Sequence, residues 1–96
     1  MLELYQAEWC PYSHRVRQRL TELGLSYVMH QVPPEASDRE ELRRRTGSDE
    51  IPALIVDGRP IRGDADELIA YLDGEFPEPR DAAEHRRQAE EHAAAR

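Results

Sequence analysis

Three short segments at the start of the chain leave little freedom in how it folds. Residues 2–7, built around Leu2, Leu4 and Tyr5, read as a strand. Residues 11–23 place Val16, Leu20 and Leu23 at helical spacings of four and three, and Gly24 suits the left-handed position that ends a helix. Residues 26–32 (Ser-Tyr-Val-Met-His-Gln-Val) are rich in aromatic and β-branched types and read as a second strand. Strand, helix and strand within roughly thirty residues make a βαβ unit, which requires a parallel pair and a right-handed crossover.

The single cysteine of the chain, Cys10, lies in the first turn of that unit, followed by Pro11, Tyr12 and Ser13. Proline fits the first helical position because its missing N–H would have no partner there. That puts the sulfur at a helix N-terminus, where unpaired N–H groups and roughly half a positive charge favour thiolate over thiol. A buried structural cysteine would be inert. The place of Cys10 in the turn speaks for the reactive reading.

Size and composition narrow the rest. Ninety-six residues suffice for one small domain with one modest core. No apolar run is long enough to span a membrane, the N-terminus lacks the features of a signal peptide, and one cysteine cannot close an internal disulfide. A cytoplasmic location follows as an expectation. Thirteen basic against 20 acidic side chains give a net charge of −7, which argues against nucleic acid as a partner. All the basic residues are arginines apart from histidine.

Pro33-Pro34 stops the second strand. Ser37 and Glu40 have capping-box spacing, so a second helix is expected from Ser37 to Gly47. Leu42 is its only large apolar residue, which predicts loose packing, and Arg43-Arg44-Arg45 is read as a solvated face. Ile51-Pro52-Ala53-Leu54-Ile55-Val56 is a short apolar run, Asp57-Gly58 marks a hairpin turn, and residues 60–62 pair back. Asp64 or Asp66 caps a last helix with Leu68, Ile69 and Leu72 on its apolar side, ending at Gly74. The boundary is placed after Pro79. Residues 1–79 form the domain, and residues 80–96, with four arginines and four carboxylates, form a polar tail of helical propensity with nothing substantial to bury.

The order β-α-β-α-β-β-α with a reactive cysteine after the first strand resembles the thioredoxin fold, an α/β architecture with a four-stranded mixed sheet flanked by helices. Cys-Pro-Tyr-Ser resembles the Cys-Pro-Tyr-Cys signature of the glutaredoxin family, with serine for the second cysteine. Glu50-Ile51-Pro52 is similar to the family's Thr-Val-Pro, which implies a cis-proline at Pro52. Gly63-Asp64-Ala65-Asp66-Glu67 is similar to its Gly-Gly-x-Asp-Asp. Ile51 through Pro79 also resembles the N-terminal domain of glutathione transferases, where Asp64 and Ala65 fall on the positions that hold a γ-glutamyl group.

The glutaredoxin resemblance implies a monothiol oxidoreductase, with no bound cofactor and with glutathione or a similar low-molecular-weight thiol as co-substrate. Cys10 attacks a mixed disulfide and a second thiol resolves the adduct, since Ser13 cannot; Ser13 donates a hydrogen bond to the thiolate instead. Tyr12 and Ile51 line the thiol, with main-chain pairing at Ile51. The N–H groups of Ala65 and Asp66 meet its γ-glutamyl carboxylate, and Asp66 or Glu67 its amino group. Helix capping alone is the plainer role for Asp64 and Asp66, and a cap and an anion site can share the same N–H groups. His14 is read as a solvent-facing polar residue, or as an imidazolium near Cys10 that lowers the thiol pKa further. Members of the family commonly carry lysine three positions before the cysteine; here Ala7 and then Glu8 stand there. The partners implied are proteins in mixed disulfides, met by a monomer. Two alternatives stay open: a dimeric iron–sulfur carrier ligated through Cys10, and a transferase-like binding domain without catalysis.

Overall fold

The computed structural model describes residues 1–94. Its elements are β1 (Leu2–Gln6), α1 (Pro11–Glu22), β2 (Val28–Gln31), a 3₁₀ turn (Ala36–Asp38), α2 (Glu40–Thr46), β3 (Ala53–Val56), β4 (Arg59–Ile61), α3 (Ala65–Glu75) and α4 (Ala82–Ala94). The strands form one sheet in the order β2-β1-β3-β4. β1 and β2 run parallel, whereas β3 is antiparallel to both β1 and β4. This is the mixed four-stranded sheet of a thioredoxin-like fold.

Alternation along β1 divides the core between the two faces of the sheet. Leu2 and Leu4 join Val16, Leu20 and Leu23 of the α1 region, Leu54 of β3, and Ala65, Leu68 and Leu72 of α3 in the larger cluster. Tyr5 points the other way and meets Leu42 of α2 and Ile55 of β3. The β3–β4 connection is tight. Asp57 (φ 49°) and Gly58 (φ 82°) both adopt positive φ, as a two-residue hairpin turn matching the sheet's twist requires.

Three sequence expectations are corrected. The capping box expected at Ser37 and Glu40 does not form: Ala36–Asp38 is a 3₁₀ turn, and α2 begins at Glu40 behind Arg39, which makes no side-chain cap. The Arg39 side chain instead donates to the carbonyl oxygens of Pro33 (2.9 Å), Pro34 (3.1 Å) and Asp49 (2.9 Å), binding the two loops around α2. The arginine triplet is not one solvated face. Arg43 bonds the Ala36 and Ser37 carbonyls and Arg45 pairs with Glu3, leaving Arg44 exposed. Gly74 does not end α3. The helix runs to Glu75, and Phe76 takes an extended conformation because Pro77 clashes with a helical residue before it.

The tail also departs from expectation. Residues 82–94 form α4, which packs against α1 with Ala82 fully buried. Glu22 of α1, itself buried, accepts from Arg19 (2.8 Å) and Arg86 (3.2 Å), and Glu78 bridges the same two arginines. Residues 95 and 96 of the tail lie outside the described residues. No helix among the described residues is long and apolar enough to cross a membrane.

Candidate active site

Cys10 is the N-cap of α1, with extended backbone (φ −84°, ψ 116°) and Pro11 opening the helix behind it. Its sulfur takes the role a serine or aspartate oxygen has at other helix starts: it accepts from the Ser13 main-chain N–H at 3.4 Å. The residue is 6% exposed. Burial pushes the thiol pKa up, but the hydrogen bond from the Ser13 N–H, the nearby Ser13 hydroxyl and Tyr12 N–H, and the charge of Arg17 outweigh it. The net displacement is downward, toward thiolate. Ser13 Oγ is fully buried and has no partner of ordinary geometry among the described residues. A thiol is a poor acceptor for that hydroxyl and a thiolate a good one, so ionisation of Cys10 satisfies it.

An open cleft of about 880 Å³ is lined at one end by Trp9 and Tyr12, the 65% and 59% exposed residues that flank the cysteine turn, while Cys10 itself is buried and is not part of its wall. The wall continues past Ile51 and Pro52 to Gly63, Asp64, Ala65 and Glu67. The Ile51–Pro52 bond is cis. The β1–β3 ladder starts at the Ala53–Tyr5 pair, so the Ile51 main chain stands outside it.

At the far end a full capping box starts α3. Asp64 accepts from the Glu67 N–H at 3.0 Å, and Glu67 accepts from the Asp64 N–H at 3.2 Å. The N–H groups of Asp64 and Glu67 are thereby used; those of Ala65 and Asp66 lie between them in the opening turn. Gly63 permits the arrangement, because a Cβ on it would lie 2.5 Å from Glu67 Cβ and its φ is +135°.

The expected carboxylates for an amino group are both engaged. The Asp66 carboxylate pairs with Arg15 of α1 and does not line the cleft, whereas Glu67 lines it while closing the capping box. His14 is exposed, and its Nδ1 faces Arg17 Nη2 at 3.4 Å; a guanidinium only donates, so Nδ1 accepts.

Sequence reading missed Arg17, Arg39, Arg62 and Gln6. Arg39 and Arg62 line the cleft. Arg17 and Gln6 sit behind the cysteine turn and bond each other. Gln6 alone left a trace in the sequence, as a polar residue at the end of an apolar strand. Among the described residues, no group of three or more His, Cys, Asp or Glu side chains is arranged to hold a metal ion.

Comparison with known proteins places this chain in a family. Residues 4–80 match the family model described as glutathione S-transferase, N-terminal domain. Glutaredoxin 3 of Escherichia coli K12 is 35% identical over 69 residues, covering 72% of this chain and 82% of that protein. A glutaredoxin of Pseudomonas aeruginosa is 31% identical over 67 residues, 70% of this chain and 79% of its own length. Among solved structures, rice glutathione transferase GST1 in complex with glutathione superposes with a TM-score of 0.71 at 27% identity, over 93% of this chain and 44% of that one. The Omega 3C transferase of Trametes versicolor gives 0.70 at 25% identity, over 79% of this chain and 32% of its own. The chain thus spans less than half the length of these transferases but most of the glutaredoxins. It belongs to the glutaredoxin family of thiol–disulfide oxidoreductases, in the form that overlaps the glutathione S-transferase N-terminal domain.

Proposed function

We propose that the protein reduces mixed disulfides between proteins and a low-molecular-weight thiol, glutathione or a similar compound, in a monothiol cycle run by Cys10. The observation that carries this reading is a helix-capping sulfur of lowered pKa in a turn whose residues Trp9 and Tyr12 line an open cleft. Cys10 thiolate attacks the small thiol's sulfur in the mixed disulfide. A new S–S bond forms to Cys10, the old one breaks, and the protein sulfur leaves with the electron pair and takes a proton from solvent. A second small thiol, as thiolate, attacks the sulfur attached to Cys10, forms the small-molecule disulfide and restores Cys10 thiolate. Ser13 contributes no second sulfur. Its N–H and hydroxyl hold charge on Cys10 before attack and after release.

Substrate binding follows from the cleft. The exposed rings of Trp9 and Tyr12 supply apolar contact beside the sulfur, and the Ile51 main chain offers strand-like pairing to a peptide backbone. A carboxylate on the small thiol fits the Ala65 and Asp66 N–H groups at the start of α3. Asp66 or Glu67 serves an amino group there by exchanging its present partner.

The test is a deglutathionylation assay on wild type and Cys10→Ser, run beside anaerobic iron–sulfur reconstitution. Turnover that vanishes in the serine variant, without stable cluster absorbance, supports the reading. A coloured, dimeric, catalytically silent protein establishes the cluster carrier, and an inactive, colourless one the transferase-like binding domain.

A further inference from the structure

The turn that holds Cys10 carries a carboxylate, Glu8, two residues before the sulfur, and no lysine occurs anywhere in the chain. A carboxylate so placed works against a thiolate. The side chain of Arg17 meets it from behind. Arg17 lies on α1 and reaches back toward the helix N-terminus, the direction long helical side chains take. One guanidinium nitrogen donates to Gln6 Oε1 and approaches the Ala7 carbonyl oxygen at 3.5 Å. The other lies 3.2 Å from Glu8 and 3.4 Å from His14 Nδ1. The Arg17 side chain is only 11% exposed, and its anchor Gln6 is fully buried. Gln6 is itself fixed, because its Nε2 donates to Gln31 Oε1 at 2.9 Å.

A guanidinium fixed this way differs from an ordinary surface arginine, whose charge is screened and whose side chain wanders. Its contacts span the end of β1, the cysteine turn and the first turns of α1, the three pieces that position the sulfur. We propose that Arg17 is the positioning residue for the Cys10 thiolate: clamped by Gln6, it neutralises Glu8 and supplies a cation held behind the cysteine turn. The inference deepens the thiol–disulfide reading above and rests on it. The other titratable groups around this cation are His14 on its own helix and Tyr27 before β2. Burial pushes the Tyr27 hydroxyl up, Arg17 pulls it down and Glu8 pushes it up. Along the cleft, Glu50, Asp64 and Glu67 add negative charge and Arg39 and Arg62 add positive charge.

The experiment is the pH dependence of iodoacetamide alkylation of Cys10 in the full chain, which reads the thiol's ionisation without needing turnover. Arg17→Gln is expected to raise the midpoint by about half a pH unit or more. Arg17→Lys is expected to stay near wild type, and adding Glu8→Gln to Arg17→Gln to bring the midpoint part of the way back. An unchanged midpoint in a folded Arg17→Gln protein overturns the proposal, as does an Arg17→Lys midpoint raised as far as that of Arg17→Gln. If Arg17→Gln does not fold, Glu8→Gln alone decides: with its carboxylate partner removed, Arg17 must lower the midpoint, and an unchanged or raised midpoint overturns the proposal. A protein whose midpoints shift as stated yet that turns over no mixed disulfide defeats the functional reading and leaves the role of Arg17 standing.

Discussion

The Ser13 main-chain N–H points at Cys10 Sγ across 3.4 Å, one turn inside the helix that the sulfur caps. A donor so placed stabilises negative charge, and the buried Ser13 hydroxyl beside it adds a second donor. The thiol pKa is lowered on folding, so its ionisation stabilises the folded state above the ordinary thiol value. That contribution is lost as pH falls through the lowered one. The alkylation midpoint is therefore expected below the ordinary value of about 8.5. Ser13→Ala keeps the N–H and removes the hydroxyl. Its midpoint should rise part of the way, slowing alkylation at neutral pH by about three-fold for half a unit. A midpoint in Ser13→Ala equal to wild type would show that the hydroxyl contributes nothing.

The same geometry makes position 13 a ready partner for Cys10. Residues three apart in a first helical turn bring their side chains together, within the Cα separation of about 5.5 Å that a disulfide favours. Ser13→Cys is expected to form an intramolecular disulfide on mild oxidation, seen as loss of both thiols in a monomeric band. Exclusive formation of covalent dimers would mean that the turn does not bring the two positions together in solution.

On the opposite face of the sheet, Glu3 accepts from Arg45 at 2.7 Å and lies 2.9 Å from His30 Nε2. The Tyr5 hydroxyl donates to Glu41 at 2.6 Å, and the Tyr5 and His30 rings stack at 4.4 Å. The Arg45 hydrogen bond, followed by that of His30, holds the Glu3 carboxyl down at about 2. Because the folded pKa is depressed, the contribution to stability is complete above the unfolded value of about 4.3 and is lost as pH falls toward 2. Wild type should melt above Glu3→Gln at neutral pH, with the gap narrowing below about pH 4. Parallel melting curves across that range would remove Glu3 from the account of acid stability.

What the sequence made legible is what local spacing controls. The βαβ unit, the proline-started helix after Cys10, the Asp57-Gly58 turn and a cap at the start of α3 each depend on neighbours within a turn or two. The choice between Asp64 and Asp66 as that cap was not legible. It depends on Arg15, which draws Asp66 toward α1 from far away in sequence. Arg39, Arg17 and Arg45 were missed for the same reason. An arginine side chain finds partners in other elements, and periodicity records only the face from which it starts. Gly74 misled because a glycine ends a helix only when the chain turns left-handed there, and here Pro77 ends it instead.

The tail shows the same limit with an energetic consequence. Residues 80–96 carry no large apolar side chain, so sequence alone expects their removal to change little. We propose that residues 1–79 fold alone, since they hold every strand and the whole cleft, but with reduced stability. Ala82 is fully buried, and one buried methyl contributes roughly 0.8 kcal/mol. For a domain of this size that corresponds to a melting temperature lower by about 5 °C. Glu22 keeps Arg19 after truncation, so no carboxylate is left without a partner. A truncated chain that melts with wild type would show that α4 adds nothing by packing on α1.

The last prediction separates the two ends of the cleft. Gly63 stands at φ +135°, and a Cβ there would fall 2.5 Å from Glu67 Cβ. Backbone conformation and close contact both oppose any side chain, so Gly63→Ala must displace Glu67 and open the capping box with Asp64. Losing a helix cap costs about 1 kcal/mol in stability. The functional effect should be local: the Ala65 and Asp66 N–H groups shift, while Cys10 and Ser13, on a different helix, do not. Gly63→Ala is therefore expected to raise KM for the small thiol several-fold while leaving the alkylation midpoint of Cys10 at its wild-type value. A raised midpoint with unchanged KM would reverse the assignment, placing the start of α3 in thiol activation instead of thiol binding.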